Sequence, residues 1–372
     1  MKWPMVKLNA ICRPKQWKTI SSSNLLDHGF PVYGANGQIG FYSEYTHENP
    51  TLMITCRGAT CGSLNISVPK SYINGNAMAL DSLDTERVDI MFLYYFLKQR
   101  GFQDVISGSA QPQITGQGLN KIEVPLPPLE EQKRIAAILD KADAIRQKRQ
   151  QAIALADDFL RSVFLDMFGD PVTNPKGWDE VILKDIADIR SGVTKGKIVK
   201  EDDAITLPYM RVANVQDGYL DLSSIQEITV SQKDAKKSML QIGDILLTEG
   251  GDPDKLGRGH VWNGEIENCI HQNHIFSVRV TDSNYVRPSF LSSVISSPRG
   301  KKYFLKVGKQ TTGIATINKT VLSEFLPFIP PLEMQDKYLG IMKKIKGLPI
   351  YSECNYMKLF SSLSQKAFTG QL

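Results

Sequence analysis

Two groups of residues in this chain have the types and spacing that metal or nuclease chemistry needs. Cys269, His271 and His274 offer a thiol and two imidazoles, which bind Zn²⁺, but no fourth ligand is evident nearby. Residues 252–255, Asp-Pro-Asp-Lys, combine carboxylates with a lysine as nuclease sites do, but no partner precedes them on a strand. Neither group has the full set of residues that its chemistry requires.

Motifs for nucleotide binding and base methylation are also incomplete. Gly192–Lys197 is one residue short of the phosphate-binding pattern GxxxxGK[ST], and Ile198 stands where the Mg²⁺-binding hydroxyl is needed. The chain has no Asn/Asp-Pro-Pro-aromatic tetrapeptide of an amino-methyltransferase, and no GxSxG or HExxH motif. The sequence therefore favours binding over catalysis.

Binding residues are more plentiful, and they cluster in turn-rich segments. Arginine can pair with the O6 and N7 atoms of guanine, asparagine and glutamine pair with adenine, and lysine serves phosphates. Each good base contact contributes about 1–3 kcal/mol of discrimination. The candidate DNA-contacting residues are Tyr33, Asn36, Gln38, Arg57, Thr60, Asn74, Asn76, Lys195, Lys197, Arg211, Asn214, Lys255, Arg258, Gln272 and Asn273.

The composition is that of a globular protein with room for two domains. The chain has 372 residues, 42% of them hydrophobic and 22% charged, and a net charge of +5, which is compatible with a nucleic-acid partner. Five cysteines without a CxxC spacing favour a reducing compartment. No apolar run approaches the 18 residues of a membrane span, and no signal peptide is evident, so we expect a cytoplasmic protein without a membrane partner.

A six-residue block that occurs twice indicates which structural elements position these residues. Pro127–Gln132 (Pro-Pro-Leu-Glu-Glu-Gln) returns as Pro330–Gln335 (Pro-Pro-Leu-Glu-Met-Gln). Upstream of the two blocks, Ile114, Leu119 and Ile122 match Ile317, Leu322 and Phe325. A long internal repeat usually means two copies of one structural unit.

Each block begins a predicted helix. Leu129 to Phe168 contains no proline or glycine, and the apolar spacing predicts a seam that a second helix covers. The second helix begins after Pro331, and a break is predicted at Gly347–Pro349. The predicted seam and partner-docking residues are Ile135, Ile138, Ala142, Ile145, Phe159, Val163, Ile341, Ile345 and Leu363.

The globular regions before the helices also match. Thr51–Thr55 corresponds to Asp244–Thr248, and Ile73–Asn76 lies opposite Ile270–Asn273, while the loops that follow differ. We predict an α+β protein in which two similar mixed α/β recognition domains are joined by two long antiparallel, coiled-coil-like helices with pseudo-two-fold symmetry. The predicted boundaries are 1–126 and 170–329 for the domains, and 127–169 and 330–372 for the helices.

Several segments together resemble one family. They are Pro125–Ala136, Met167–Pro171, Tyr209–Tyr219, Gly243–Thr248 and Gln365–Leu372. With these segments the chain resembles, over essentially its whole length, the specificity subunit of Type I restriction–modification enzymes. Met334 in place of the first copy's Glu131 departs from the repeat.

The resemblance implies a non-catalytic DNA-binding subunit in which each domain reads one half of a bipartite, asymmetric double-stranded sequence. It implies that the helices set the spacer and dock two methyltransferase subunits, and that restriction subunits also bind. S-adenosylmethionine, ATP and Mg²⁺ are then used by these partners, for adenine-N6 methylation and ATP-dependent cleavage. This chain is expected to hold no cofactor and no metal, in a bacterial or archaeal cytoplasm.

Two other classes of protein stay open at this stage. One is an enzyme that acts on DNA by itself, with residues 252–255 or the Cys269/His271/His274 group as its site. The other is a structural coiled-coil adaptor that joins proteins and has no DNA sequence preference. Metal-dependent cleavage by the purified chain would support the first, and binding without sequence preference would support the second.

The spacer role leads to a prediction. Inserting one helical turn near Arg149 adds about 5.4 Å to the first helix, against half-sites that lie roughly one DNA turn, about 34 Å, apart. The insertion should lengthen the non-specific spacer in the methylated motif and leave both half-sites intact. A spacer of unchanged length, read by methylation mapping, would reject the ruler role of the helix.

Overall fold

The first half of the chain alternates short strands with few helices. The computed structural model describes residues 3–108, 111–251, 256–311, 314–351 and 356–371. The elements up to the first repeated block, and the helix that follows it, are β1 (Met5–Lys7), β2 (Arg13–Gln16), β3 (Phe30–Gly34), β4 (Gly37–Tyr42), β5 (Leu52–Thr55), β6 (Leu64–Ile66), β7 (Tyr72–Ile73), β8 (Ala77–Asp81), α1 (Ile90–Arg100), β9 (Ile106–Ser107), β10 (Gln113–Ile114), α2 (Gly116–Leu119), β11 (Glu123–Pro125) and α3 (Leu129–Phe168).

The second half repeats this order with a few additions. Its elements are β12 (Asp179–Glu180), α4 (Leu183–Ile186), β13 (Ala187–Ser191), β14 (Ala204–Met210), β15 (Gln226–Ser231), α5 (Gln232–Ser238), β16 (Ile245–Thr248), β17 (Gly250–Gly251), β18 (Gly259–Val261), β19 (Ile270–His271), β20 (Ile275–Val280), α6 (Pro288–Ser296), α7 (Pro298–Val307), β21 (Lys309–Thr311), β22 (Ile314–Thr316), α8 (Lys319–Ser323), β23 (Phe328–Ile329), α9 (Leu332–Lys346) and α10 (Tyr356–Phe368).

The chain divides into two compact units. The first unit comprises residues 1–152 and 353–372, and the second unit comprises residues 153–352. Helix α3 therefore contributes residues to both units, and α9 and α10 belong to different ones. Among the described residues, no helix is both long enough and apolar enough to cross a membrane.

The first unit is built on a four-stranded sheet in the order β2-β8-β5-β6, accompanied by a three-stranded sheet in the order β4-β3-β7. The larger sheet is antiparallel, and β3 pairs with β7 in parallel. The apolar run Leu52–Thr55 forms β5 and is buried at every residue. The core of the first unit also includes α1, whose Leu93 and Leu97 are buried.

The second unit has the same strand order. Its four-stranded sheet runs β13-β20-β16-β18, and its three-stranded sheet runs β15-β14-β19 with β14 and β19 parallel. The repeated apolar positions before the two helices are all buried: Ile114, Leu119 and Ile122 in the first unit, and Ile317, Leu322 and Phe325 in the second. The internal repeat of the sequence is therefore a repeat of structure.

The strand register corrects one sequence match by a residue. Tyr33 pairs with Ile73 in the first unit, and Met210 pairs with His271 in the second. Ile73 is thus the counterpart of His271, and not of Ile270. Strand register is set largely by the pattern of apolar residues. These short turns contain glycine, asparagine and histidine instead, so the sequence alone could not align the two turns to the residue.

The repeated glutamine of the two blocks makes the same contacts in both units. Gln132 and Gln335 are fully buried. The Gln132 side-chain amide accepts from the N–H of Asp89 (3.0 Å) and donates to the carbonyls of Arg87 and Pro127 (2.8 Å each). Asp89 is the residue at which α1 begins, so this amide ties the first turn of α3 to the start of α1.

In the second unit the Gln335 amide accepts from the N–H of Arg287 (2.8 Å) and donates to the carbonyls of Tyr285 (3.1 Å) and Pro330 (2.8 Å). Arg287 begins α6, the counterpart of α1. Glutamine offers one acceptor and two donor hydrogens on one short, planar group, and all are used here. The block is therefore repeated because it joins each helix to its unit.

Helix α3 spans the predicted residues, but its buried stripe differs from the predicted seam. Ile135 is buried as predicted, and Leu139 is buried beside it. Ile145 and Phe159 are a correction to the seam, since they are 49% and 51% exposed. The remaining predicted residues are half-buried: Ile138, Ala142, Val163, Ile341, Ile345 and Leu363.

Polar contacts explain the shift of the stripe. Tyr95 of α1 donates to Asp140 (3.1 Å), and Lys98 of α1 lies 3.6 Å from the buried Asp143. Helical residues are about 100° apart around the axis, so Ile145 is turned about 200° away from Asp143. Near the other end, Leu160 is buried, which turns Phe159 toward solvent.

Within the first unit, α3 and α10 run antiparallel. Ile135 and Ala367 share one apolar cluster. Farther along α3, the guanidinium of Arg146 lies 5.9 Å from the ring centre of Phe360. Residue numbers rise along one helix as they fall along the other, as predicted.

Within the second unit, α3 and α9 are antiparallel in the same way. The rings of Phe164 and Tyr338 are 5.4 Å apart, and Lys346 lies 2.7 Å from Asp157. Helix α9 ends at Lys346, with Gly347 as its C-cap, and Pro349–Tyr351 form a short 3-10 helix. The second helix is therefore interrupted after Lys346, where the sequence predicts a break.

One difference between the cores of the two units lies at a pair of matched positions. In the first unit Ile73 and Ala79 pack in an apolar cluster. Their counterparts in the second unit are His271 and Ser277. Among the described residues, the His271 Nε2 and Ser277 Oγ atoms have no hydrogen-bond partner, although His271 Nδ1 lies 3.0 Å from the carbonyl of Ser238. Burial lowers the pKa of His271 below its ordinary value of 6.5.

The glutamine contacts predict a local loss of stability. Gln132→Ala removes the partner of the Asp89 N–H, which costs about 1–3 kcal/mol. We expect amide hydrogen exchange at the start of α1 to become roughly 5- to 150-fold faster, with no change at the start of α6. Gln335→Ala should do the reverse. Gln151, which is exposed, is the matched control. Equal effects of Gln132→Ala and Gln151→Ala would contradict the joining role.

The buried imidazole predicts a pH dependence. His271 takes up a proton near pH 6.5 when unfolded and only at lower pH when folded, so the native protein loses stability as the pH falls below 6.5. His271→Ile, which restores the first unit's residue, removes this loss. The thermal midpoint of the variant minus that of the wild type should therefore increase as the pH is lowered from 7.5 to 5.5. A difference that stays constant with pH would oppose this account, and His28→Ala, which removes an exposed histidine, is the matched variant for comparison.

Candidate nucleic-acid interface

In the first unit, three polar segments meet where β5 ends. The Thr55 hydroxyl donates to the Ala35 carbonyl in the β3–β4 turn. The N–H of Cys56 donates to the carbonyl of Asn76 (3.2 Å), in the turn between β7 and β8. Because Thr55 and Cys56 are buried, they anchor both turns to the central sheet while the following residues stay exposed.

The exposed side chains at this place form what we call the first polar face. The predicted residues Asn36, Arg57, Thr60 and Asn76 are all exposed there. The Thr60 hydroxyl donates to Asn36 Oδ1 at 2.7 Å, which fixes the orientation of the amide. The sequence thus predicted four residues that the structure brings to one site.

Two further glutamines belong to this face and were missed. A depression of about 580 Å³ is lined by Ala35, Arg57, Gly58, Asn76, Gln111, Pro112 and Gln113. Gln113 is paired with Arg57 in an antiparallel bridge. The sequence held a signal for Gln113. It directly precedes Ile114, a position of the internal repeat, so its place on the shared scaffold could have been predicted. We include Gln111 and Gln113 in the first polar face.

The other predicted residues of the first unit have different surroundings. Asn74 is buried, and its amide accepts from the N–H of Ile20 (3.0 Å) and donates to the Ile20 carbonyl (3.1 Å). Tyr33 is half-buried, and its hydroxyl accepts from the N–H of Val68 at 3.3 Å. Gln38 is exposed on β4. Asn74 and Tyr33 therefore serve the fold of the unit.

The chemistry of the first polar face suits base edges. The guanidinium of Arg57 offers donors that match guanine O6 and N7, and the side-chain amides of Asn76 and Gln113 offer the donor and acceptor pair that matches adenine. Burial raises the pKa of the neighbouring Cys56, so this thiol is not an activated nucleophile. The face is equipped to bind, by hydrogen bonds, and not to attack a ligand.

A larger depression of the first unit, of about 600 Å³, lies at the other end of β5. Three of its polar groups already bond to each other: His47 Nε2 lies 2.9 Å from Asp81 Oδ1, and Trp17 Nε1 donates to Asp81 Oδ2 at 3.1 Å. Satisfied groups have little left to offer a ligand. We therefore place the candidate interface at the first polar face.

The end of β16 is the matching place in the second unit. The N–H of Glu249 donates to the carbonyl of His274 (2.9 Å), as Cys56 does to Asn76. The N–H of Thr248 donates to the carbonyl of Arg258 (3.0 Å). Glu249, Arg258 and His274 form what we call the second polar face. Only Arg258 of these three was predicted from the sequence as a DNA contact.

Three predicted residues of the second unit support its backbone instead. Asn214 is buried, and its amide accepts from the N–H of Arg211 (2.9 Å) and donates to the carbonyls of Asp221 and Ser224. Arg211 also donates to the Ser224 carbonyl at 3.0 Å. Gln272 accepts from the N–H of Val212 at 3.4 Å. These groups hold the turn after β14 against β19.

Three more of the predicted residues of the second unit, Lys195, Lys197 and Asn273, lie at or near the loop after β13. Lys195 and Lys197 are exposed, and Lys197 lies 3.1 Å from Asp234. Asn273 is half-buried, and its N–H donates to the Val193 carbonyl at 2.9 Å. Lys255, with residues 252–254 of the nuclease-like segment, lies outside the described residues.

The three residues considered as metal ligands have separate partners. Cys269 is buried, and burial raises the pKa of its thiol to about 12, so it does not supply a thiolate. His271 is buried against the Ser238 carbonyl, whereas His274 is exposed and lies 2.7 Å from Glu249. Within the described ranges, no group of three or more His, Cys, Asp or Glu side chains is placed to hold a metal ion.

Comparison with known proteins identifies relatives of the whole chain. A putative type I restriction enzyme specificity subunit of Haemophilus influenzae is 25% identical over 349 residues, which cover 89% of this chain and 84% of that protein. The StySPI specificity subunit of a type I restriction enzyme from Salmonella potsdam is 26% identical over 344 residues, 85% of this chain and 68% of that protein. The similarity therefore extends across both units.

A solved structure shares the fold. The crystal structure of the S subunit of a type I restriction-modification system from M. genitalium matches with a TM-score of 0.60 and 16% identity, over 99% of this chain and 95% of that one. The model of the family described as "Type I restriction modification DNA specificity domain" matches residues 1–155 and again residues 175–348. The family domain thus occurs twice, once for each structural repeat, and the chain belongs to the Type I restriction modification DNA specificity family.

Proposed function

We propose that each unit of this specificity subunit contacts one half of a bipartite double-stranded DNA sequence through its polar face. The two units share one scaffold, so both faces are presented in the same way from the end of a buried strand. Their polar side chains differ, with Glu249 and Arg258 of the second face half-buried and His274 exposed, so they suit different bases. This combination is what recognition of an asymmetric, split target needs.

The observation that carries the proposal is the position of the arginines. Arg57 of the first polar face corresponds to Gly250 of the second unit. Arg57 pairs with Gln113 in an antiparallel bridge, and Gly250 pairs with Thr316 in the same way. Arg258 of the second polar face corresponds to Ser63, since their carbonyls accept from Thr248 and Thr55. The arginine therefore directly follows the β5 end segment in the first unit, whereas in the second unit it lies on the neighbouring segment that bonds to Thr248.

The partners supply the catalysis in this proposal. Two methyltransferase subunits would carry S-adenosylmethionine and methylate adenine at N6, and restriction subunits would use ATP and Mg²⁺. Exposed apolar side chains on α3 support a docking role for this helix: Ile145 in the first unit, and Leu155 (70% exposed) and Phe159 in the second. Leu155 and Phe159, four residues apart, share one helix face, and a contiguous exposed apolar patch is typical of a partner contact.

The long helix supports a spacer role. Its 40 residues make a rod of about 60 Å, and Gln132 fixes its first turn to the first unit. A continuous helix resists bending better than a loop of equal length, so it can hold a fixed distance. In this proposal α3 sets how many base pairs separate the two half-sites.

The proposal is tested by methylation mapping. DNA from cells that express this chain with its methyltransferase partner is sequenced for N6-methyladenine. We expect a split motif that disappears when this chain is deleted. Arg57→Ala should then relax one half of the motif, and Arg258→Ala the other half, with a loss of about 1–3 kcal/mol of discrimination at one position each.

Arg161→Ala is the matched control, because Arg161 is an exposed arginine of α3 that belongs to neither polar face. It should leave both halves unchanged. A motif that persists after deletion of the chain would remove the specificity role. If Arg57→Ala relaxed both halves equally, the units would not read independently. Binding without any sequence preference would favour the adaptor alternative.

A further inference from the structure

We infer that His274, oriented by Glu249, reads a base edge in the half-site of the second unit. The inference rests on the proposed function and adds a residue that the sequence pattern did not indicate as a DNA contact. The His274 imidazole belongs to the Cys269/His271/His274 group that the sequence offered as metal ligands.

The repeat makes His274 the counterpart of Asn76. In the first unit Tyr33 pairs with Ile73, and in the second Met210 pairs with His271, so residues three positions farther on correspond. The hydrogen bonds agree with this register, since the carbonyls of Asn76 and His274 accept from the residues that directly follow Thr55 and Thr248. The position that holds an exposed amide in one polar face therefore holds an imidazole in the other.

The imidazole is both exposed and oriented. The His274 side chain is 57% exposed, and its Nδ1 atom lies 2.7 Å from Glu249 Oε2. A carboxylate partner accepts a hydrogen bond from Nδ1–H, so the opposite ring nitrogen, Nε2, is left for a ligand. In the neutral ring Nε2 accepts a hydrogen bond, and in the protonated ring it donates one. A fixed ring loses less entropy on binding than a free one.

The carboxylate of Glu249 favours a base edge over a phosphate as the ligand. Glu249 is 32% exposed, and its negative charge repels the phosphate backbone. In the major groove, by contrast, a carboxylate can accept from the amino group of cytosine, and an imidazole can accept from an amino group or donate to a purine N7. Glu249 and His274 together thus match the donor and acceptor pattern of base pairs.

The neighbourhood supplies the positive charge that the pair lacks. Arg258 is bonded through its carbonyl to Thr248, the residue before Glu249. In the first polar face, Arg57 is likewise close to the residue that bonds Asn76. Each face therefore combines one arginine with one amide or imidazole, which lies in the turn before β8 in the first unit and before β20 in the second. His274 completes this pairing in the second unit.

The inference is tested with the assembled complex and duplex DNA. The wild-type motif is first obtained by methylation mapping, and binding is then measured on duplexes with each second-half base pair changed in turn. His274→Ala should lower discrimination by roughly 5- to 150-fold at one position of that half and leave the first half unaltered. Glu249→Gln should weaken discrimination at the same or the adjacent position.

Reciprocal exchanges provide the controls. His274→Asn should alter the second half only, and Asn76→His the first half only. His28→Ala changes an exposed histidine of the first unit that lies outside the polar face, and it should alter neither. Thermal midpoints equal to the wild type would exclude unfolding as the cause of a changed motif.

Two outcomes would overturn the inference, and they differ from failure of the proposed function. If the wild type gives a split motif and His274→Ala keeps the same discrimination at every second-half position, His274 is not a reading residue. Equal relaxation of both halves would show an effect on the whole complex, and would also oppose the inference. If the wild type gives no split motif, the proposed function itself fails.

Discussion

A buried side-chain amide at the start of each long helix is the constraint on which the rest of this molecule depends. Gln132 and Gln335 each satisfy one N–H and two carbonyls, and in both units the N–H belongs to the residue that begins the first large helix of the sheet region. An apolar contact at this place would permit rotation of the helix about its axis. Directional hydrogen bonds do not, so the helix leaves each unit in a defined direction.

Much of this scaffold could be predicted from the sequence, because it rests on periodicity and on proline and glycine. The ends of α3 at Leu129 and Phe168, the buried strand at Leu52–Thr55 and the break after Lys346 all follow from such signals. The stripe of α3 was placed less well. One residue turns a helix by about 100°, and the contacts of Asp140 and Asp143 with α1 decided which residues were buried.

The polar faces were harder to predict, because the same residue types serve two purposes. Asn76 is exposed, whereas Asn74, two residues earlier, uses its amide to hold the backbone at Ile20. Asn214 does the same work in the second unit. Side chains that bond to nearby backbone are common in turns, and nothing in the sequence separates them from those that await a ligand. His274 was overlooked for the opposite reason, since its neighbours Cys269 and His271 suggested a metal.

The glycine at position 250 has an evolutionary consequence. A β-carbon there would lie 2.9 Å from the Cγ2 atom of Thr316, so an arginine like that of the first unit requires the Thr316 side chain to move. The effect of a side chain at position 250 therefore depends on the residue at position 316, which is epistasis in its simplest form. The two units share a scaffold, so under the proposed function the transfer of this arginine from one unit to the other involves a second position. Replacement of a whole unit would keep such coupled positions together.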